Sequence, residues 1–243
     1  MTGSNLPIAD KWFDIRPYQN GVTKISEKHI DPYWSGNIWV IQGSEASLVV
    51  DTGTGIVSPI PTLSSITDTP LTAVASCYYY DHAGGLNYFE RRYSHSLDAR
   101  AISDPSNDMG ASHFNKYAEV TALPDKEFQL GAYQPNSANP IATVEDGYKF
   151  ELGSRSIEVI HVPGRTPGSL VFWEEKTGYL FGGETLFVDP YQNNFPPQDV
   201  NSYEACIRRL SQLSVSTIFG GHFEPFSKNE LKELVEAEIG RYR

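Results

Sequence analysis

The residues of this chain best suited to chemistry sit in short segments, rich in glycine, that follow apolar runs. They are Asp51-Thr52-Gly53, Asp81-His82-Ala83-Gly84-Gly85, Pro163-Gly164-Arg165-Thr166-Pro167-Gly168-Ser169, Gly182-Gly183-Glu184-Thr185-Leu186-Phe187 and Gly220-Gly221-His222. Together they offer the carboxylates of Asp51, Asp81 and Glu184, the imidazoles of His82 and His222, and the guanidinium of Arg165. Cys77 and Tyr79 lie just ahead of the second segment. Imidazoles and carboxylates suit zinc, iron or manganese, whereas arginine stays protonated and offers only donors. Each group also has a plain structural role. Asp81 and His82 read as a helix cap and a packed histidine, and Asp51 as a turn residue. Glu184 reads as the ion-pair partner of Arg165, and Cys77 as an inert buried thiol. Tyr78, Tyr79 and Tyr80 read as packing at a strand end, with at least one available to line a pocket. His29, His95, His113 and His161 read as ordinary histidines, and Cys206 as helix core.

The surrounding pattern supplies the elements that must position these groups. The runs 37–42 and 47–50, split by Gly43-Ser44-Glu45, predict a hairpin that feeds Asp51. A buried strand is expected over 71–76. Residues 77, 79 and 81 alternate, so an extended segment would turn them to one side, with His82 turning inward from the loop. Gly84-Gly85 then predicts a tight start to a helix-like stretch through Arg92. Between 104 and 140 the pattern weakens, which fits either a cover over a site or a surface excursion. Strands are expected at 156–161, 169–173, 179–181 and 215–219, with a turn at Lys176-Thr177-Gly178. Helices are expected over 200–213, with Tyr203, Cys206, Ile207, Leu210 and Leu213 on one side, and after Ser227, where Glu230 completes a capping box. Strand-end loops of this kind can converge on one rim of a rigid scaffold.

Taken in order, the segments from Asn37 to His222 resemble the metallo-β-lactamase superfamily. The family's His-x-His-x-Asp-His-x-Gly-Gly window reads here Cys77-Tyr78-Tyr79-Tyr80-Asp81-His82-Ala83-Gly84-Gly85. Its Pro-Gly-His-Thr-Pro-Gly segment carries Arg165 in place of histidine, its bridging aspartate is matched by Glu184, and its late histidine by His222. The resemblance implies an α+β chain of the broad α/β class, built as a four-layer αββα sandwich of two mixed sheets flanked by helices, over residues 1–243 as one domain. It implies that the first metal position, altered at Cys77, Tyr79 and Arg165, is lost, because arginine repels a dication. It implies that Asp81, His82, Glu184 and His222 hold one divalent metal, zinc first and iron or manganese as alternatives. Asp81 and Arg165 would be catalytic, the metal activating water for attack on an ester, lactone, thioester or related bond. Arg165 would hold a substrate carboxylate or the developing oxyanion.

Two other readings stay open. One is a non-catalytic relative that binds a ligand or partner in a metal-free pocket, with Arg165 paired to Glu184. The other is chemistry at Cys77, for which Arg165 would have to stabilise the thiolate.

Composition narrows the partners. The chain of 243 residues is 40% hydrophobic and 20% charged, with a formal net charge of −11. That balance disfavours nucleic acid and anionic membrane surfaces and leaves a small-molecule substrate, with a homodimer open. With only Cys77 and Cys206, no disulfide framework is expected. The residues from Met1 to Trp12 lack the pattern of a secretory signal, and no apolar run reaches the roughly 20 residues of a membrane span, so a cytoplasmic location is expected.

Overall fold

The structure is a computed structural model, and it describes residues 6–104, 106–139, 141–189 and 196–241. Its strands are β1 (Phe13–Pro17), β2 (Val22–Glu27), β3 (Ile38–Gln42), β4 (Ser47–Val50), β5 (Leu71–Val74), β6 (Arg92–His95), β7 (Ala142–Val144), β8 (Lys149–Glu151), β9 (Ser156–His161), β10 (Leu170–Glu174), β11 (Tyr179–Gly183), β12 (Thr217–Gly220) and β13 (Phe226–Ser227). Strands β1 to β7 form one sheet in sequence order, and β8 to β13 form a second. Both sheets are mixed: β1 to β4 run antiparallel and β4 to β7 parallel. In the second sheet only the β11–β12 pair is parallel. The helices are α1 (Ile60–Ser64), α2 (Tyr80–Ala83), α3 (Ser96–Ser103), α4 (Ala111–Tyr117), α5 (Val200–Ser211) and α6 (Lys228–Glu238).

Strand alternation explains the layering, because neighbouring residues point to opposite faces of a sheet. In β3, Ile38 and Val40 join the core on the outer side of the first sheet, with Leu63, Ile102 and Phe114. Trp39 and Ile41 enter the central core with Leu170, Phe172 and Phe181 of the second sheet. In β10 the partners of Leu170 and Phe172, Val171 and Trp173, face the third core, with Tyr203 and Ile207 of α5 and Leu231 of α6. The αββα sandwich is thus observed. No helix among the described residues is long and apolar enough to cross a membrane.

The expected β3–β4 hairpin forms, with Gln42 opposite Ser47. The β10–β11 hairpin turns at Gly178, whose φ of 71° lies in the left-handed region. Helix α5 buries Tyr203, Ile207 and Leu210, with Cys206 and Leu213 partly buried against the same core. The capping box of Ser227 and Glu230 starts α6.

Three expectations need correction. Residues 76–79 form a run of bends rather than an extended strand, so Cys77, Tyr79 and Asp81 do not share a side by alternation. Helix α2 ends at Gly84 instead of starting there; only a 3₁₀ turn (Leu86–Tyr88) follows, and Arg92 opens β6. Gly84 has a right-handed φ of −60°, so no special backbone angle requires glycine. A Cβ there would meet the Thr54 carbonyl oxygen at 2.2 Å, so the reason is close packing of two loops. Both cysteines are free.

Candidate metal centre

The loops that end β4, β5, β9, β11 and β12 meet on one rim, joined by backbone hydrogen bonds. Thr52 N–H donates to the His82 carbonyl at 2.8 Å, Gly221 N–H to the Gly183 carbonyl at 3.0 Å, and Leu170 N–H to the Ser76 carbonyl at 2.7 Å. A Cβ at Gly221 would lie 2.3 Å from the Gly183 oxygen and 3.0 Å from the His82 ring, so glycine there lets His222 come beside His82. The two imidazole centroids are 5.2 Å apart and the rings nearly perpendicular.

Asp81, His82 and His222 are all buried, each placing one ligand-type atom within 4.8 Å of the others. Asp81 Oδ2 lies 3.7 Å from His82 Nε2 and 3.4 Å from His222 Nε2. Glu184 Oε2 lies 3.1 Å and 3.3 Å from the same nitrogens. A tetrahedron with bonds of about 2.1 Å has edges of roughly 3.4 Å, so each of these four separations has the scale found between two ligands of one small ion, while the group whose members all lie close to one another is Asp81, His82 and His222.

The hydrogen-bond chemistry of this cluster calls for protons or a metal ion at its centre. His82 Nδ1 faces Asp51 Oδ2 at 2.8 Å, and His222 Nδ1 faces the Pro32 carbonyl at 2.9 Å. Both partners only accept, so each Nδ1 carries a proton and a neutral ring presents a bare lone pair at Nε2. Those lone pairs face carboxylate oxygens. Acceptor against acceptor in a buried site is unfavourable unless protons or a metal ion fill the centre. Without a metal the imidazoles take up the charge. Burial opposes charge on His82, yet Asp81 and Asp51, helped by Glu184, lift its pKa well above the usual value. Burial pushes Glu184 up, but its bonds to His222 and His82 outweigh this and hold it well below the usual carboxylate range. The donor set therefore fits a divalent metal.

The other sequence candidates divide. Arg165 and Tyr79 line the same cleft as Asp81, Glu184 and His222. The Arg165 guanidinium lies 5.1 Å from the Tyr203 ring centroid and 5.9 Å from that of Phe187. The Tyr79 hydroxyl donates to the Arg165 carbonyl at 3.3 Å and accepts from Gln198 at 3.2 Å. Burial chiefly, then Cys77 and Glu184, push the Tyr79 phenol far above its usual value, so it stays protonated. Cys77 is buried, and burial together with Glu184 and Asp51 raises its pKa well above that of a free thiol. A thiol held protonated is a poor nucleophile and a poor ligand, which counts against the Cys77 reading. The carboxylate of Glu184 faces His82 and His222 through Oε2.

Several contributors were not foreseen. Asp51, read as a turn residue, accepts from Ser76 N–H and Oγ as well as from His82, and so orients a cluster imidazole. Asp98, buried on α3, accepts from Thr166 Oγ1 at 2.6 Å and from Gly168 N–H at 2.8 Å, pinning the loop that carries Arg165. A lone aspartate on a short polar helix gives no sequence signal for that. Tyr33, Trp34 and Phe187 line the cleft, whose volume is about 1090 Å³. The weakly patterned segment 104–140 covers one side of it through Gly110 and His113.

Comparison with known proteins agrees with this geometry. A family-wide sequence profile described as "Metallo-beta-lactamase superfamily" matches residues 31–222. "Acyl-coenzyme A thioesterase MBLAC2" of Gallus gallus is 28% identical over 244 residues, covering 95% of this chain and 88% of that protein. "Hydroxyacylglutathione hydrolase" of Aeromonas hydrophila is 26% identical over 182 residues, covering 74% of this chain and 58% of that one. Among solved structures, "Metallo-beta-lactamase from Pontibacter korlensis" superposes with a TM-score of 0.68 at 17% identity, over 94% of this chain and 99% of that chain.

Proposed function

Since the chain belongs to the metallo-β-lactamase superfamily, we propose that it is a hydrolase of small acyl thioesters that works with one divalent metal held by Asp81, His82, Glu184 and His222. The observation that carries this reading is the convergence of four acceptor groups whose imidazole Nδ1 protons are already committed outward. Two sequence relatives bearing names of thioester hydrolases narrow the bond from ester, lactone or thioester to thioester.

A bound metal supplies Lewis acidity and an activated water. The remaining work falls to the chain's own residues. Asp51 and the Pro32 carbonyl hold the two imidazoles in one tautomer, with Nε2 inward. Arg165, placed where the family carries a third histidine, brings a fixed positive charge that holds a substrate carboxylate or the oxygen of the reacting carbonyl as charge grows on it. Phe187 and Trp34 exclude water from one side of the cleft, which strengthens that electrostatic contact. The reaction adds water across the C–S bond: oxygen joins the acyl carbon, and the sulfur leaves as a thiol.

The test is elemental analysis of protein purified without a histidine tag, alongside thiol release from acyl thioesters. About one metal per chain, lost in His222→Ala, with thiol release that follows metal content, is the expected result. No metal after incubation with zinc, manganese or iron would move the reading to a metal-free binding relative. Two metals per chain would mean that Cys77 and Tyr79 act as ligands after all.

A further inference from the structure

A thioester has an acyl half and a thiol carrier, and the cleft receives the two differently. One wall is aromatic and begins at the cluster itself, where the Phe187 ring lies 4.9 Å from that of His222. Tyr33 and Trp34 also line the cleft and pack edge to face at 5.2 Å. Tyr117 of α4 backs Trp34 in a near-parallel stack at 6.3 Å, and the Tyr80 hydroxyl donates to the Trp34 carbonyl at 3.1 Å. Trp34 is thus backed at its ring by a second segment of chain and held at its backbone by α2. An aromatic lining that reaches the cluster at Phe187 favours aromatic or branched acyl groups over acetyl.

The charged lining has the wrong sign for a phosphate-bearing carrier. Beyond Asp81 and Glu184, the described lining holds Asp189, Glu230, Glu233 and Glu238 against Arg165 and Arg241. Arg241 is itself paired with Glu238. The chain as a whole carries −11. Phosphate groups are bound by clustered lysine and arginine, and a field of this sign repels a polyanion from the mouth.

Building on the thioester reading, we propose that this cleft is specific for aromatic or branched acyl groups on a carrier that lacks phosphate, and that it discriminates against coenzyme A.

The test compares one acyl group, phenylacetyl, on N-acetylcysteamine, on glutathione and on coenzyme A, using metal-loaded enzyme at low ionic strength. The expected kcat/KM for the N-acetylcysteamine thioester exceeds that for the coenzyme A thioester by about tenfold or more, and the gap narrows as salt screens the field. Equal or better turnover of the coenzyme A thioester overturns the carrier part. On the acyl side, Trp34→Ala is expected to cut the phenylacetyl-over-acetyl preference by about tenfold, with Phe187→Leu as an independent variant. An unchanged preference in both overturns it. Hydrolysis of none of the three would refute the thioester reading instead. The specificity is then read by calorimetry on metal-free protein with S-phenacyl thioethers. Tighter binding of the N-acetylcysteamine thioether, weakened by Trp34→Ala, is expected, and equal or tighter binding of the coenzyme A thioether overturns the proposal.

Discussion

Replacing Asp51 with asparagine tests whether the wiring behind the cluster sets its metal affinity. Asp51 Oδ1 accepts from Ser76 N–H at 2.7 Å, while Oδ2 accepts from Ser76 Oγ at 2.9 Å and from His82 Nδ1 at 2.8 Å. In Asp51→Asn the amide has two orientations. With its NH₂ against Ser76 N–H, two buried donors oppose each other, at a cost of about 1–3 kcal/mol. With its oxygen there instead, the NH₂ faces His82 Nδ1, which must then accept. The imidazole proton moves to Nε2 and the inward lone pair is lost. Recovering the competent tautomer costs metal affinity, and loss of such an outer partner typically weakens binding about 10–100-fold, or roughly 1.4–2.7 kcal/mol. The backbone gives no competing explanation, because the φ of 62° at residue 51 suits asparagine as well as aspartate. The assay is competition for zinc against a chelator of known affinity, with the rise in melting temperature on adding zinc as a second reading. Zinc affinity within about twofold of wild type would refute the tautomer reasoning.

Two further changes address other parts of the molecule. Arg165→Ala is expected to lower kcat by about 10²-fold or more while leaving metal content near one per chain; steady-state kinetics with elemental analysis checks this, and unchanged or raised activity would remove Arg165 from the mechanism. Glu174 accepts two bonds from Arg155, at 2.6 and 2.7 Å, deep in the second sheet. Glu174→Ala, which leaves Arg155 without that partner, should cost about 3–5 kcal/mol in denaturant unfolding. Burial pushes the Glu174 carboxyl up, but Arg155 and Thr177 outweigh it and depress the pKa below 4.5. Its contribution is therefore complete above pH 4.5 and is lost as pH falls through the depressed value. Glu174→Gln should flatten that part of the melting temperature profile, and an unaltered acid limb would show that the pair is not its source.

The cleft shows how the substituted positions of the family motif are arranged. The altered positions are not scattered: Tyr79 and Arg165 touch each other through the Tyr79 hydroxyl, and Cys77 is sealed beneath them. In the one-metal reading proposed above, these three positions form a protonated, hydrogen-bonded patch with one fixed positive charge beside the Asp81, His82 and His222 group.

Much of the layout was legible in the sequence because it rests on local rules. Short apolar runs at β3 and β10 and the alternation of β9 predict strands, a 3.6-residue stripe predicts α5, and Ser227 with Glu230 predicts the start of α6. The glycine-rich segments after strands located Asp81, His82, Arg165, Glu184 and His222. Elements without such a pattern escaped: β1, mostly exposed at the sheet edge, and β6, whose Arg-Tyr-Ser-His sequence is polar. Only the tertiary structure decided who meets whom. Glu184 faces the two imidazoles because the loops after β5, β11 and β12 converge. Whether Cys77 was a nucleophile or a buried thiol depended on desolvation, which no local window records. Asp51 became the orienting partner of His82 because β4 and β5 run side by side, and the aromatic wall arose from segments around residues 34, 117 and 187. Residue type and spacing state what each group can do; distance, burial and the identity of the opposite atom decide which of those things it does.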